Sequence, residues 1–295
     1  TVDCLKAFLV EHGDAAEFLS TDAVVERIVK PSSKAKGPSP PRTGDAGTAG
    51  TAAKASKALV EMLTEAHRRR PTFFLSHAWR QTFSVTTASH RGGLVQALAS
   101  AVPESEHGTC AFWCDIFCVN QHLRCPYGGG LLAFAFDPLR NAIVGVDHIK
   151  LFMETWDDPA PLGRVWCLDE LRNALLLGKR VEVIMPPQAA AAFRAEASKD
   201  RRRTLQDIAR VAGRIDIANA SATFRADRDY VLAKVEATLG SDALNAFCRF
   251  IVRDALVRYA GLDGIAGAGG IDGADGAEGA GAGGSSSGGG SGVGG

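Results

Sequence analysis

The sequence predicts an α/β fold in which a parallel sheet carries helices on both faces. From residue 71 onward, short apolar segments alternate with amphipathic ones, which is the order of strands that alternate with helices. The connections between these segments are short, as expected when successive parallel strands are joined by helices that cover the sheet. No segment repeats with a period of 20–50 residues, which argues against a solenoid.

The alternating region contains five predicted strands separated by helices. The first strand, PTFFLSH, is a short apolar run that ends in polar residues. Gly178 is placed to end one of the helices, because glycine readily adopts the left-handed conformation that follows a helix. The predicted strands are 71–77, 109–119, 147–155, 179–186 and 214–220. The predicted helices are 92–102, 131–146, 165–178, 188–212, 227–239 and 241–260.

Helical periodicity also precedes the alternating region. Residues 2–12 place Leu5, Phe8 and Leu9 on one face, and the polar residues at 20–22 form a capping signal for a helix that Pro31 ends. The predicted organisation is N-terminal helices over 1–31, a flexible Pro- and Gly-rich linker over 32–51, a packed helix over 52–70, an α/β domain over 71–220, closing helices over 221–260 and a disordered tail over 261–295.

Composition narrows the class of protein. Residues 261–295 contain 17 of the 33 glycines and no aromatic residue, so they cannot bury enough apolar surface to fold. The 33 Lys and Arg residues before position 261 face 29 acidic ones, and a net charge of +4 is too small to indicate nucleic-acid binding. No apolar run is long enough to span a membrane, and the first residues lack the pattern of a signal peptide. Seven scattered Cys indicate reduced thiols and a cytoplasmic location.

Three segments carry unusual polar residues in apolar surroundings. They are FFLSHAWR (73–80), FWCDIFCVNQH (112–122) and PLGRVWCLDEL (161–171). The first two run from a predicted strand into polar residues, and the loops after parallel strands meet at one edge of a sheet. In the third, Trp166 and Glu170 are four residues apart, so both lie on one face of a helix.

In this order the three segments resemble the Toll/interleukin-1 receptor (TIR) domain superfamily and the fungal heterokaryon-incompatibility (HET) domain. FFLSHAW resembles the first TIR strand and the start of HET domains, and FWCDIFCVNQ resembles the W-I-D-x-x-C-I-N-Q signature of HET. RVWCLDEL resembles the W-C-L-x-E-L helix of plant-type TIR domains and is the most specific of the three. The resemblance covers about residues 71–220.

The resemblance implies a flavodoxin-like fold with a five-stranded parallel sheet, and assembly with itself or with other TIR-like domains through a loop near 118–130. It also implies a possible NAD+ nucleosidase activity, in which Glu170 by motif position is the catalytic carboxylate and NAD+ is a substrate, with no cofactor. Such a carboxylate would stabilise the oxocarbenium-like ribose of the transition state. The candidate substrate-binding residues are Ser76, His77, Trp79, Arg80, Asn120 and Trp166, and Glu170 is expected to open into a cleft beside Trp79 and Asn120.

Structural roles compete with these functional ones. Glu170 could stabilise the first turns of its helix or pair with Arg164, and Asp169 could be a solvated partner of Arg172 or Arg203. Asp115 could cap a loop at the end of the sheet.

Cysteines and histidines within 107–125 invite a zinc hypothesis. Three of the cysteines, however, lie four residues apart on the predicted strand over 109–119. Residues at this spacing on a strand are about 13 Å apart, too far to share one ion, so the sequence predicts no metal site.

Three interpretations of the function remain open from the sequence. The first is a TIR-like signalling or defence module, related to innate immunity, that acts through self-association in the cytoplasm. The alternative is an NAD+ glycohydrolase that uses Glu170. A cysteine-rich metal-dependent module is a third, weaker interpretation.

Overall fold

The computed structural model describes residues 1–16, 19–34, 57–63, 65, 68–85, 92–122 and 139–263. Residues Thr1–Leu262 form one compact unit. The predicted disordered tail lies almost entirely outside the described residues, and so does most of the predicted linker. None of the described helices is long and apolar enough to cross a lipid bilayer.

The described residues contain a four-stranded sheet in which every pairing is parallel. Its strands are β1 (Phe73–Ser76), β2 (Phe112–Trp113), β3 (His148–Phe152) and β4 (Arg180–Ile184). They lie in the order β2-β1-β3-β4. The predicted α/β class with a parallel sheet between helices is therefore confirmed, and each of the first four predicted strands contains an observed one.

The central strand β1 is apolar because both of its faces are covered. Phe73 and Leu75 belong to the core cluster that includes the N-terminal helices. Phe74 points to the opposite face, where its ring stacks on Trp113 with centroids 4.6 Å apart. Because side chains alternate along a strand, Ser76 lies on the same face as Phe74.

Helices surround this sheet on both faces. The helices of the N-terminal half are α1 (Val2–Ala16), α2 (Thr21–Val24), α3 (Lys30–Ser33), α4 (Leu94–Ala101) and α5 (Asp115–Cys118). Those of the C-terminal half are α6 (139–144), α7 (Val165–Leu176), α8 (Pro187–Lys199), α9 (Arg201–Gly213), α10 (Arg225–Thr238) and α11 (Ser241–Tyr259). In the predicted helix over 52–70, the described residues form a 3-10 helix at Leu59–Met62.

Pro31 does not end the second N-terminal helix, as the sequence had predicted. A π-helical turn at Val25–Val29 joins α2 to α3, and the helical path continues to Ser33. A proline ring clashes with the carbonyl four residues earlier, and a π-type turn widens the helix at that point.

The predicted strand over 109–119 is wrong for most of its length. Only Phe112 and Trp113 pair with β1, and the chain then turns into α5. The Cys114 carbonyl accepts hydrogen bonds from the backbone of Phe117 and Cys118. An apolar run of this kind does not by itself distinguish a strand from a buried helix.

Two further predictions fail at aspartates that form helix caps. The single helix over 188–212 is divided at Asp200, which is extended and accepts a hydrogen bond from the backbone N–H of Arg203. The fifth strand over 214–220 is instead a 3-10 helix at Ile217–Asn219, capped by Asp216. Aspartate competes for backbone N–H groups in this way and favours helix starts over strands and helix interiors.

A buried ion pair ties α7 to α10. Asp169 is 1% exposed, and its carboxylate accepts a hydrogen bond from Nε of Arg172 at 2.9 Å. Lys234 on α10 approaches the other oxygen at 3.3 Å. The predicted partner Arg172 is correct, but the predicted solvation is wrong, because this pair lies inside the protein.

Asp169→Ala is expected to destabilise the protein by about 3–5 kcal/mol, because it leaves the guanidinium of Arg172 buried without its counter-charge. Asp229→Ala is the matched control: this side chain is 55% exposed and pairs with Arg225 on the surface, so its loss should cost less than about 1 kcal/mol. Urea unfolding measures both, and equal losses would contradict a buried role for Asp169.

Candidate functional site

The candidate site lies where the strand order reverses at the carboxyl edge of the sheet. Strand β1 lies between β2 and β3, so the chain leaves β1 toward one side and returns to the other. Such a reversal opens a crevice outside the carboxyl ends of the strands. Ser76 ends β1 and Asp115 begins α5 just after β2, which brings both to this edge.

Glu170 reaches this edge from α7. Its carboxyl oxygen Oε2 accepts a hydrogen bond from the hydroxyl of Ser76 at 2.5 Å. Ala174, one turn further along α7, belongs to the same core cluster as Phe74, and Ser76 lies on the same face as Phe74. The pairing of Glu170 with Ser76 therefore follows from helical spacing on α7 and alternation on β1.

The carboxyl group of Glu170 is buried, with the residue 7% exposed and Ser76 fully enclosed. The expectation of an open cleft is therefore wrong, although the expected position at the sheet edge is correct. Burial raises the pKa of Glu170 well above its ordinary value, because water no longer stabilises the charged form. The Ser76 hydrogen bond opposes this rise in the pKa, and the charges of Asp115 and Asp169 add to it.

Asp115 is the second carboxyl group of the site and is held in one orientation. Its Oδ2 accepts a hydrogen bond from Nε1 of Trp79 at 2.7 Å, and its Oδ1 accepts one from the backbone N–H of Ile116 at 2.7 Å. The side chain of Asp115 is 29% exposed, so the site meets solvent here. Among the residues that the structure describes, no Lys or Arg forms an ion pair with Asp115 or Glu170.

His77 and two thiols complete the surroundings of these carboxyl groups. Nε2 of His77 lies 3.8 Å from Oδ1 of Asp115, and burial lowers the pKa of this imidazole despite the nearby carboxylate. Cys167 on α7 donates a hydrogen bond through its Sγ to the backbone carbonyl of His77 at 3.3 Å. Burial raises the pKa of the Cys114 and Cys167 thiols well above the ordinary value.

The structure brings together only part of the predicted set. Ser76 hydrogen-bonds directly to Glu170. His77 and Trp79 contact Asp115, the second carboxyl group of the site. The other predicted residues, Arg80, Asn120 and Trp166, have their described contacts elsewhere.

Arg80 is exposed and pairs with Asp158 at 3.3 Å. Asn120 accepts a hydrogen bond from the backbone of His122. Trp166 packs against the core cluster of the C-terminal helices.

The sequence did not nominate Asp115, Cys114 or Cys167 for the substrate site. The sequence predicted only a capping role for Asp115, and its carboxylate does accept a hydrogen bond from the backbone N–H of Ile116. The signal that could have found it is an acid inside an apolar run that ends at the same sheet edge as Ser76 and His77. Sequence reasoning did not select Cys167, because a cysteine in an apolar helix is usually a core residue.

The described surface also has two concavities, and Cys114 lines the second of them. One of about 460 Å³ includes Trp156, Lys199, Arg203 and Arg214 in its lining. The other, of about 340 Å³, is lined mainly by apolar residues such as Phe8 and Phe112. Glu170 lines neither of these two concavities.

No protein-family model, no curated protein and no solved structure matches this chain. The resemblance to TIR and HET domains therefore rests on the three sequence motifs.

The raised pKa of Glu170 makes stability depend on pH with a definite sign. Below about pH 4.5, its ordinary pKa, both folded and unfolded chains hold the proton. Above that value the unfolded chain releases it first, so the contribution of Glu170 to stability falls as the pH rises toward the folded pKa. Glu170→Gln should remove this loss, and its stability relative to the unsubstituted protein should grow by up to about 1.4 kcal/mol per pH unit.

Urea unfolding between pH 5 and pH 8 measures this difference. Glu196→Gln replaces an exposed carboxyl on α8 and controls for the loss of one charge. A difference between the Glu170→Gln and unsubstituted proteins that stays constant over this range would show that the carboxyl is not buried in its neutral form.

Proposed function

We propose that this chain is a TIR-like α/β domain that hydrolyses the bond between nicotinamide and ribose in NAD+, with Glu170 as the catalytic carboxylate. The observation that carries the proposal is the convergence of Glu170, Ser76 and Asp115 at the reversal point of a parallel sheet. The strand order 2-1-3-4 is that of the first four strands in flavodoxin-like folds. The resemblance assigns the catalytic role to the same glutamate.

The charge of the substrate suits these carboxyl groups. Two acids lie near each other at the sheet edge, and in the described part of the chain neither has a Lys or Arg partner. The nicotinamide ring of NAD+ is a cation, and an opposite charge within about 4–6 Å favours the ionised form of a carboxyl group. A cationic substrate at this place would therefore lower the pKa of Glu170 and convert it to the catalytic carboxylate.

The reaction needs few protein groups. The bond between C1′ of the ribose and N1 of the ring breaks, and nicotinamide leaves as a neutral molecule with the bonding electrons. The ribose becomes oxocarbenium-like, and the ionised Glu170 stabilises its positive charge. Water then adds to C1′ and releases one proton to solvent.

Ser76 and Trp79 have positioning roles in this mechanism. The Ser76 hydroxyl donates to Glu170 and so stabilises its charged form. Trp79 is half-buried, and its Nε1 is held by Asp115, so its ring presents a fixed aromatic surface where the site meets solvent. A planar cation can stack on such a surface.

Release of nicotinamide from NAD+ tests the proposal. The purified full chain should release nicotinamide, and Glu170→Gln should lower the rate by about 100-fold or more, which is typical for loss of a group that stabilises transition-state charge. Glutamine keeps an acceptor for Ser76, so the variant should remain folded. Glu196→Gln, on the surface of α8, should retain the full rate. Equal rates from the Glu170→Gln and unsubstituted proteins, or no release by the latter at any concentration, would overturn the proposal.

Signalling or defence through self-association is the other expected function and stays a prediction. The loop implied to mediate it spans 118–130, of which the structure describes 118–122. Repeating the nicotinamide assay over a range of protein concentrations, with light scattering on the same samples, shows whether activity and association rise together.

A further inference from the structure

Three potential metal ligands converge beside the candidate site. A ring nitrogen of His77, Sγ of Cys114 and a carboxylate oxygen of Asp115 all lie within 4.8 Å of one another. His77 follows β1 directly, while Cys114 and Asp115 follow β2 directly. The three residues are therefore close together because β1 and β2 pair in parallel. We propose that these three side chains bind a zinc ion.

The distances between the ligand atoms fit a single small cation. Nε2 of His77 is 3.8 Å from Oδ1 of Asp115, and Sγ of Cys114 is 3.9 Å from the same oxygen. Zinc bonds of 2.0–2.3 Å in tetrahedral geometry separate ligand atoms by about 3.5 Å. The ligand atoms of His77 and Cys114 lie within 4.8 Å of each other, so coordination requires these two side chains to approach by about 1 Å.

The imidazole of His77 supplies independent evidence for a ligand. Its side chain is 1% exposed, and Nε2 has no hydrogen-bond partner. The neutral imidazole tautomer with a lone pair on Nε2 is the form that coordinates metals, and a metal ion would give this buried nitrogen the partner that it lacks.

Asp115 is oriented for coordination from its other oxygen. Trp79 donates to Oδ2 at 2.7 Å, while Oδ1, which accepts one hydrogen bond from the backbone N–H of Ile116, keeps a second lone pair and lies 3.8 Å from Nε2 of His77. Partners of this kind hold metal-binding carboxylates in position. Trp79 is in this sense a positioning residue of the proposed site.

The donor set selects the metal. One nitrogen, one sulfur and one carboxylate oxygen suit zinc, whereas calcium and magnesium require oxygen ligands. Coordination requires the thiolate of Cys114, so binding releases one proton to solvent. The two positive charges of zinc then balance the thiolate and the carboxylate of Asp115. Three protein ligands leave a fourth tetrahedral position for water or a substrate.

The sequence-based exclusion of zinc rested on a strand that the structure does not contain. Cys114 and Cys118 are joined across one helical turn by a backbone hydrogen bond of 2.9 Å, so they are not at opposite ends of an extended segment. The histidines first considered have other partners: His107 contacts Lys6 and two backbone carbonyls, and His122 contacts Ser33. The proposed site instead uses His77.

This site does not depend on the proposed hydrolysis of NAD+, because Glu170 is outside the ligand set and the test needs no substrate. Zinc binding without nicotinamide release would leave the site intact and remove only the enzymatic function. Nicotinamide release by a chain that binds no zinc would remove the zinc site and leave the proposed enzymatic function intact.

Metal titration of the full chain tests the proposal. After removal of metals with a chelator, zinc is added and followed by calorimetry, and cobalt is added as a spectroscopic probe of thiolate coordination. We expect one zinc per chain, a cobalt–thiolate charge-transfer band and a higher melting temperature with zinc. Cys114→Ser and Asp115→Asn should each weaken binding at least 100-fold, and Trp79→Phe should weaken it about 10-fold by freeing Asp115.

The controls separate this set from the other cysteines. Cys110→Ser and Cys118→Ser leave the three ligands in place and should bind zinc with unchanged affinity and stoichiometry. The melting temperature of each metal-free variant reports whether it is folded, and Asp115→Asn keeps the shape of the side chain should Cys114→Ser fail to fold. Zinc binding that survives Cys114→Ser and Asp115→Asn, or no zinc binding by the unsubstituted chain, would overturn the proposal.

Discussion

The burial of a carboxyl group against the end of a central strand is the constraint on which the site depends. Glu170 is on α7 and Ser76 ends β1, and the buried hydrogen bond between them joins helix to sheet. A carboxyl group in such a place is stable only when it is neutral, hydrogen-bonded or near a cation. In the folded chain the carboxyl group of Glu170 is hydrogen-bonded to Ser76, and burial raises its pKa and so favours the neutral form. A nearby cation is the remaining condition, and the site could meet it by binding one.

Two neighbouring carboxyl groups connect the proposed NAD+ site with the proposed zinc site. Asp115 and Glu170 lie near each other, and Asp115 meets solvent while Glu170 does not. A pyridinium ring and a metal ion are both cations, but they make different demands. The ring needs an aromatic face and a carboxylate, which Trp79 and Glu170 offer. The ion needs lone pairs in a compact arrangement, which His77, Cys114 and Asp115 provide.

The sequence predicted the parallel sheet well because apolar runs and short connections are local signals of strands that are covered on both faces. It also placed Ser76, His77, Trp79 and Glu170 at one edge. It failed where one aspartate changes the backbone path. Asp115 begins a helix that the apolar run around it concealed, and Asp200 and Asp216 do the same further along. Burial of Glu170 could not be predicted, because it depends on which side chains of β1 and α7 face each other.

The ion pair of Asp169 with Arg172 and Lys234 lies one residue from Glu170 and reaches the C-terminal helix α10. Two adjacent residues of α7 thus contact different parts of the protein. Glu170 bonds to Ser76 at the carboxyl edge of the sheet, and Asp169 pairs with Lys234 on α10. A fragment cut at residue 220, where the sequence resemblance ends, would lose Lys234 and uncover the apolar side of α7. A piece of the chain that preserves the geometry around Glu170 therefore needs α10 and α11, which share a core cluster with α7, in addition to the three motifs.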